Sequence, residues 1–192
     1  MDFINVEHRD AAVKAKKLRR LGQVPCSVYG GALPESVAIQ MDQQAANQMY
    51  RSCRVGSRVN LKLDGEVIPT QIKELELNPD NQDVFQVSFQ ALQAGHTVNS
   101  VLQIYRTNTE NVRGMLEQMI DEVPYESLPR DMIDSVTLDL TGAGVGTLIT
   151  LADIPELNTD KITLHLPSDS IVLRVTEPKA APVEEEAAES EE

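Results

Sequence analysis

The chain has 192 residues and a formal net charge of −13, with 41% hydrophobic residues, only 4% aromatic ones and no tryptophan. That length accommodates one large or two small domains with a buried core, and the composition favours aliphatic packing over an aromatic binding platform. Two cysteines (Cys26 and Cys53) exclude a disulfide framework and lack zinc-ligand spacing, and no apolar run approaches the ~20 residues of a membrane-crossing helix.

From the N-terminus, MDFINVEHRDAA is too polar for a signal peptide, so the expectation is a reduced, soluble, cytoplasmic protein. FINVE reads as a short strand. DAAVKAKKLRRL, from Asp10 to Leu21, is rich in helix formers without Gly or Pro. Its few large apolar residues, Val13, Leu18 and Leu21, predict weak anchoring and full order only against a partner. CSVYGG is a strand entering a glycine turn, and ESVAIQM is another strand. MDQQAANQMYRS has helical apolar spacing with Asp42 as its N-cap.

RVNLKLDGEVIPTQIKELEL predicts a hairpin turning at Asp64 and Gly65, with Pro69 imposing an edge or a bulge on the return strand. In DVFQVSFQAL, strict alternation puts Val84, Gln86, Ser88 and Gln90 on one face and Phe85, Val87 and Phe89 on the other. Some six strands and one or two helices in under 100 residues indicate a small, highly curved sheet or barrel.

Small residues and a change in charge balance mark a boundary near Gln93, Ala94 and Gly95. Beyond it, TVNSVLQIYR and VTLDL read as strands. GMLEQMIDEVPYESL fits helix or strand, with Pro124 against a long helix. GAGVG is a glycine turn, and KITLHL and SIVLRV are expected to pair as the last two strands. The expected architecture is mainly β with short helices: a barrel-like domain over residues 1–94, a β-rich domain over 95–176, and a disordered Glu-rich tail over 177–192.

The net charge is unevenly placed. Residues 1–94 hold 11 basic and 11 acidic residues, whereas the rest of the chain holds 6 and 19. Six of the basic residues fall between Arg9 and Arg20, where Asp10 is the single acid.

Searches for catalytic chemistry fail. His8, His96 and His165 lie far apart and read as surface residues. Cys53, beside two arginines, reads as an ordinary half-buried thiol, and GAGVG lacks the spacing of a dinucleotide fingerprint. No enzyme, cofactor or metal is expected. The basic run differs from a merely solvated helix face because no Glu alternates with its lysines. Its cations can neutralise phosphates and release counterions, and Arg19 and Arg20 can bind phosphates bidentately.

At KKLRRLGQVPCSVYGG the chain resembles the bacterial large-subunit ribosomal proteins that bind 5S ribosomal RNA. It is most similar to their long, two-domain form, which includes the general stress protein Ctc. LDGEVIPTQIKELELNPDNQDVFQVSFQAL sits where the family has its second block, and the segment from Leu116 to Ile154 is similar to its acidic second domain. The resemblance implies an N-terminal β-barrel recognising 5S RNA through phosphate, sugar and minor-groove contacts. Arg9, Lys14, Lys16, Lys17, Arg19 and Arg20 would meet the phosphates, with Tyr29 supporting the RNA face or simply packing.

The chain also departs from the family. Its usual His-x-Asp-Phe element is replaced by Gln86, Val87, Ser88 and Phe89, and Asn78 stands where a histidine precedes the loop proline. Gln86 and Ser88 offer hydrogen bonds but neither the stacking nor the charge. Altered RNA binding is therefore expected, and the alternative is a stress-related interaction protein that keeps the fold with weakened RNA specificity. The acidic second half would face solvent or a neighbouring basic ribosomal protein. Its tail is expected to compete with RNA for the basic run.

Overall fold

The computed structural model describes residues 3–10, 12–159 and 161–177. The tail, apart from Glu177, lies outside them, and so does the expectation of its disorder.

Six strands close into a barrel: β1 (Ile4–His8), β2 (Gln23–Tyr29), β3 (Val37–Asp42), β4 (Arg58–Leu63), β5 (Glu66–Leu77) and β6 (Val84–Ala91), in the order β1-β3-β2-β6-β5-β4. Closure comes from β1, which pairs antiparallel with β3 and parallel with β4, setting Ile4 opposite Leu61. Alternation drives Ile4, Val6, Val24, Cys26, Val28, Ile39, Leu61, Ile72, Val87 and Phe89 into one core. Burying each large aliphatic side chain contributes about 1.5–3 kcal/mol.

Two helices complete this half, α1 (Ala15–Arg20) and α2 (Gln43–Ser52). The Asp42 carboxylate caps α2, accepting from the Gln44 amide at 2.8 Å and the Ala45 amide at 3.4 Å. Ala46 and Met49 then plug one end of the barrel. The β4–β5 turn places Asp64 and Gly65 at φ 51° and 90°, the left-handed pair of a tight hairpin.

Pro69 sits opposite Asn60 in a strand flanked on both sides, just past the end of the β5–β6 ladder at Thr70 and Ala91. Its carbonyl accepts from the Leu92 amide at 2.8 Å. Its nitrogen points the same way, so the proline forfeits only the terminal reciprocal bond to Leu92, just past the end of β6 at Ala91. The bulges fall elsewhere. Register steps from Ile72–Phe89 to Glu74–Ser88, leaving Lys73 unpaired on β5. It steps again from Glu76–Gln86 to Leu77–Val84, leaving Phe85 unpaired on β6.

The second bulge corrects the strict alternation expected for β6. Val84 is buried in the core, and Phe85 is turned out of it.

After residue 97 the chain builds two more sheets. One contains β7 (Val98–Thr107), β9 (Glu122–Ser127), β10 (Ser135–Asp139) and β12 (Ile162–Leu164), in the order β10-β7-β9-β12. The other contains β8 (Met115–Gln118), β11 (Leu148–Thr150) and β13 (Ile171–Thr176), in the order β11-β13-β8. The segment open to helix or strand is thus two strands, and Pro124 is accommodated within β9 opposite Val101.

KITLHL and SIVLRV do not pair. The first joins β9, and the second joins β8 and β11 in the other sheet. The chain crosses between sheets at the turn after Pro167, where the Ser168 and Ser170 carbonyls accept from the Ala152 and Leu151 amides at 2.9 and 3.1 Å. Both sheets bury their inner faces in one core that includes Leu102, Tyr125, Leu151, Val172 and Leu173. The Tyr125 hydroxyl donates to the Ile133 carbonyl at 2.8 Å and accepts from its amide at 2.9 Å. Burial raises the phenol's pKa.

The start of β7 is stitched to the barrel. Ser100 donates to the Gly56 carbonyl at 3.1 Å, and Gln71 and Lys73 donate to the Asn99 carbonyl at 3.0 and 3.2 Å. A cleft of about 820 Å³ opens at this junction, lined by Arg58, Thr70, Leu92, Pro129 and Asp134 among others.

Candidate nucleic-acid interface

Basic side chains reach the surface because α1 has a single buried anchor. Leu18 alone of its residues is buried, and Leu21 is 66% exposed. The helix packs against β2. The helix starts at Ala15, later than the run suggested. A turn precedes it, with the Val13 amide donating to the Asp10 carbonyl at 3.0 Å.

Arg9 is committed to that turn: its Nη2 donates to the Val13 carbonyl at 3.1 Å. Arg19 is half-buried, its guanidinium 3.5 Å from the centroid of the Phe85 ring. The bulge that expels Phe85 from the core supplies this platform. Lys14, Lys16, Lys17 and Arg20 are exposed. None of these four, nor Arg19, forms an ion pair among the described residues. No acid follows in the first turn, and Lys17, Arg19 and Arg20 sit in the last, where the helix dipole tolerates cations.

Lys16, Arg19 and Arg20 converge on a groove of about 490 Å³ with Gln43, Asn78, Asn81, Asp83 and Phe85. Its far wall is cross-linked by hydrogen bonds. The Asn47 amide donates to Asp83 at 2.8 Å, and its carbonyl oxygen accepts from the Val84 amide at 3.0 Å and from Gln43 at 3.2 Å. Sequence reading missed this wall, and the 4-residue spacing of Gln43 and Asn47 on a predicted helix was the one available signal.

Gln86 is exposed next to Phe85 on the barrel's outer surface. Ser88 lies on the same side but is only 7% exposed, its hydroxyl 3.4 Å from that of Ser27. Tyr29 is half-buried and paired with Gln90, further along β6 from the helix. Its phenol pKa is raised by burial first and by the Glu74 charge second. Two acids therefore flank the strand face: Glu74 opposite Ser88 and Glu76 opposite Gln86. They too went unnoticed in the sequence, because cross-strand register is not a local property.

Among the described residues no group of three or more His, Cys, Asp or Glu could hold a metal ion, and no helix is long and apolar enough to cross a membrane. Cys26 is buried and its thiol is pushed up to about 12 by desolvation.

Residues 4–89, which span the barrel and its basic helix, match the ribosomal L25p family, and residues 97–179 match the C-terminal domain of ribosomal protein TL5. The large ribosomal subunit protein bL25 of Halothermothrix orenii is 30% identical, over 93% of this chain and 82% of its own length. The chain belongs to the ribosomal L25p family. Its L25p relatives include the bL25 proteins of Pseudomonas fluorescens, 28% identical over 98% of this chain and 99% of theirs, and of Dictyoglomus thermophilum, 25% identical over 98% and 95%. Coverage of both matched segments agrees with the long L25p form.

Proposed function

We propose that this protein is a structural, non-enzymatic constituent of the large ribosomal subunit, in the cytoplasm, that binds 5S ribosomal RNA through α1 and the adjoining barrel face. One observation carries the reading: five cations of one short helix and its N-cap stand without an ion-pair partner among the described residues, and three of them line a groove whose other polar side chains are Gln43, Asn78, Asn81 and a single acid, Asp83. Relatives named as large-subunit proteins over nearly the full length support the assembly.

Lys14, Lys16, Lys17 and Arg20 would neutralise phosphates, with Arg19 held at a fixed angle by Phe85 to present its fork to one more. Arg9 would act by shaping the turn that aims the helix. Gln86 would meet a sugar or base edge in the shallow minor groove, with Tyr29 and Ser88 supporting that face from behind. The barrel and the two-sheet unit would be separate domains meeting near residues 93–95, with RNA contact confined to the first.

The test is affinity for 5S RNA as a function of salt. Five neutralised phosphates predict a slope of about −4 in log affinity against log salt. A slope near zero, or equal affinity for an unrelated hairpin, overturns the proposal.

A further inference from the structure

The outer face of the three-stranded sheet leaves large apolar side chains in water. Cross-strand rows place Leu148 beside Arg174 and Arg174 beside Glu117, with Met115 beside Thr176 in the neighbouring row. Met115 is 50% exposed, Leu148 51% and Ile171 36%. Val145 and Met119, both about half exposed, extend the patch. Val145 lies against Gly114, where an added Cβ would come within 3.1 Å of its methyl group. Scattered exposed aliphatics are ordinary on a surface, but here they share one sheet face and its margins.

Charge around this face narrows the occupant. Arg174 and Glu117 neutralise each other at its centre. Exposed Glu110, Asp121 and Asp169, against one exposed base, Arg113, stand in the segments flanking its strands. Residues 95–176 carry 12 acids and 5 bases, so bare RNA and a second copy of the same surface are both repelled. A partner with apolar side chains set among lysines and arginines satisfies both the patch and its acidic rim.

We propose that the outer face of β8, β13 and β11 docks a basic protein neighbour within the large subunit. The inference rests on the subunit assignment above, but not on 5S RNA binding by α1. In this arrangement the acidic half anchors the chain through protein while the basic helix anchors it through RNA.

The experiment uses the full chain and large subunits stripped of it. Photo-crosslinking groups at Met115 and Leu148 are expected to join a basic ribosomal protein in reloaded particles. The triple variant Met115→Gln, Leu148→Gln, Ile171→Thr is expected to weaken particle retention on the order of tenfold while leaving free 5S RNA affinity and the melting temperature unchanged. Crosslinks to RNA alone or to a second copy, or unchanged retention of the variant, overturn the docking proposal and leave the RNA proposal standing. Failure of the unmodified chain to load onto particles overturns both this inference and the subunit assignment, while 5S affinity is read separately.

Discussion

Arg19 lies with its guanidinium 3.5 Å from the centroid of the Phe85 ring, joining α1 to a bulge on β6. A cation held over an aromatic face gains about 0.5–1 kcal/mol when exposed and ~2 kcal/mol when desolvated. More consequentially, the stack fixes the direction of the fork without neutralising its charge.

Phe85→Leu is therefore expected to lower 5S RNA affinity about fivefold, corresponding to about 1 kcal/mol, with the salt slope unchanged because no cation is lost. Affinity at three salt concentrations together with a thermal melt checks this. An unchanged affinity would show that the stack serves packing alone.

Glu74 and Glu76 are expected to weaken binding, since they stand opposite Ser88 and Gln86 on the proposed contact face. Replacing each with Gln should raise affinity about twofold at low salt, with the gain vanishing at high salt as screening takes over.

Gly56 is the tightest point between the barrel and β7. At φ +92°, a Cβ there would lie 1.9 Å from the Val101 carbonyl oxygen, an overlap only glycine avoids. Gly56→Ala is expected to cost at least about 2 kcal/mol by strain and displaced backbone. Proteolytic cleavage near residues 93–96 should accelerate, while the barrel's RNA affinity is retained. Unchanged cleavage would show that the junction opens in the native protein as well.

Cys26 gives an alkaline signature. Its thiol is pushed from 9.0 to about 12 by burial in the barrel core. The folded state thus disfavours the thiolate, and the stabilisation is complete below pH 9. It declines by up to about 1.4 kcal/mol per unit as pH rises from there toward 12. Denaturant melts of the native chain and Cys26→Val between pH 8 and 11 should diverge over that window. At pH 8 a thiol reagent should modify Cys53 rapidly and Cys26 only on unfolding.

Local determinants were readable without coordinates. The Asp42 cap, the Asp64–Gly65 turn and the alternation of β4 are each set within a few residues, and all three stand in the structure. Position 85 could not be read in that way, because a bulge is defined by what the opposite strand does. Nor could the separation of β12 from β13, where two adjacent three-to-six-residue strands feed different sheets that close over one core.

For the site, the charge run announced itself, whereas its surroundings did not. Arg9 and Arg19 look equivalent to Lys16 and Arg20 in sequence, yet contacts turn one into a brace and the other into a stacked fork. The neutral wall of Gln43, Asn78 and Asn81 comes from three separate segments.

Replacing Lys14, Lys16, Lys17, Arg19 and Arg20 together with alanine tests the central claim most directly, read as co-sedimentation with the large subunit at moderate and then high salt. Because Leu18, the one buried residue of α1, is retained, the barrel should stay folded, as a thermal melt will report. The account predicts loss of 5S RNA binding and release from the particle as salt rises, under conditions where the unmodified chain remains. Undiminished association of the folded variant at both salt concentrations, with 5S affinity intact, would contradict it.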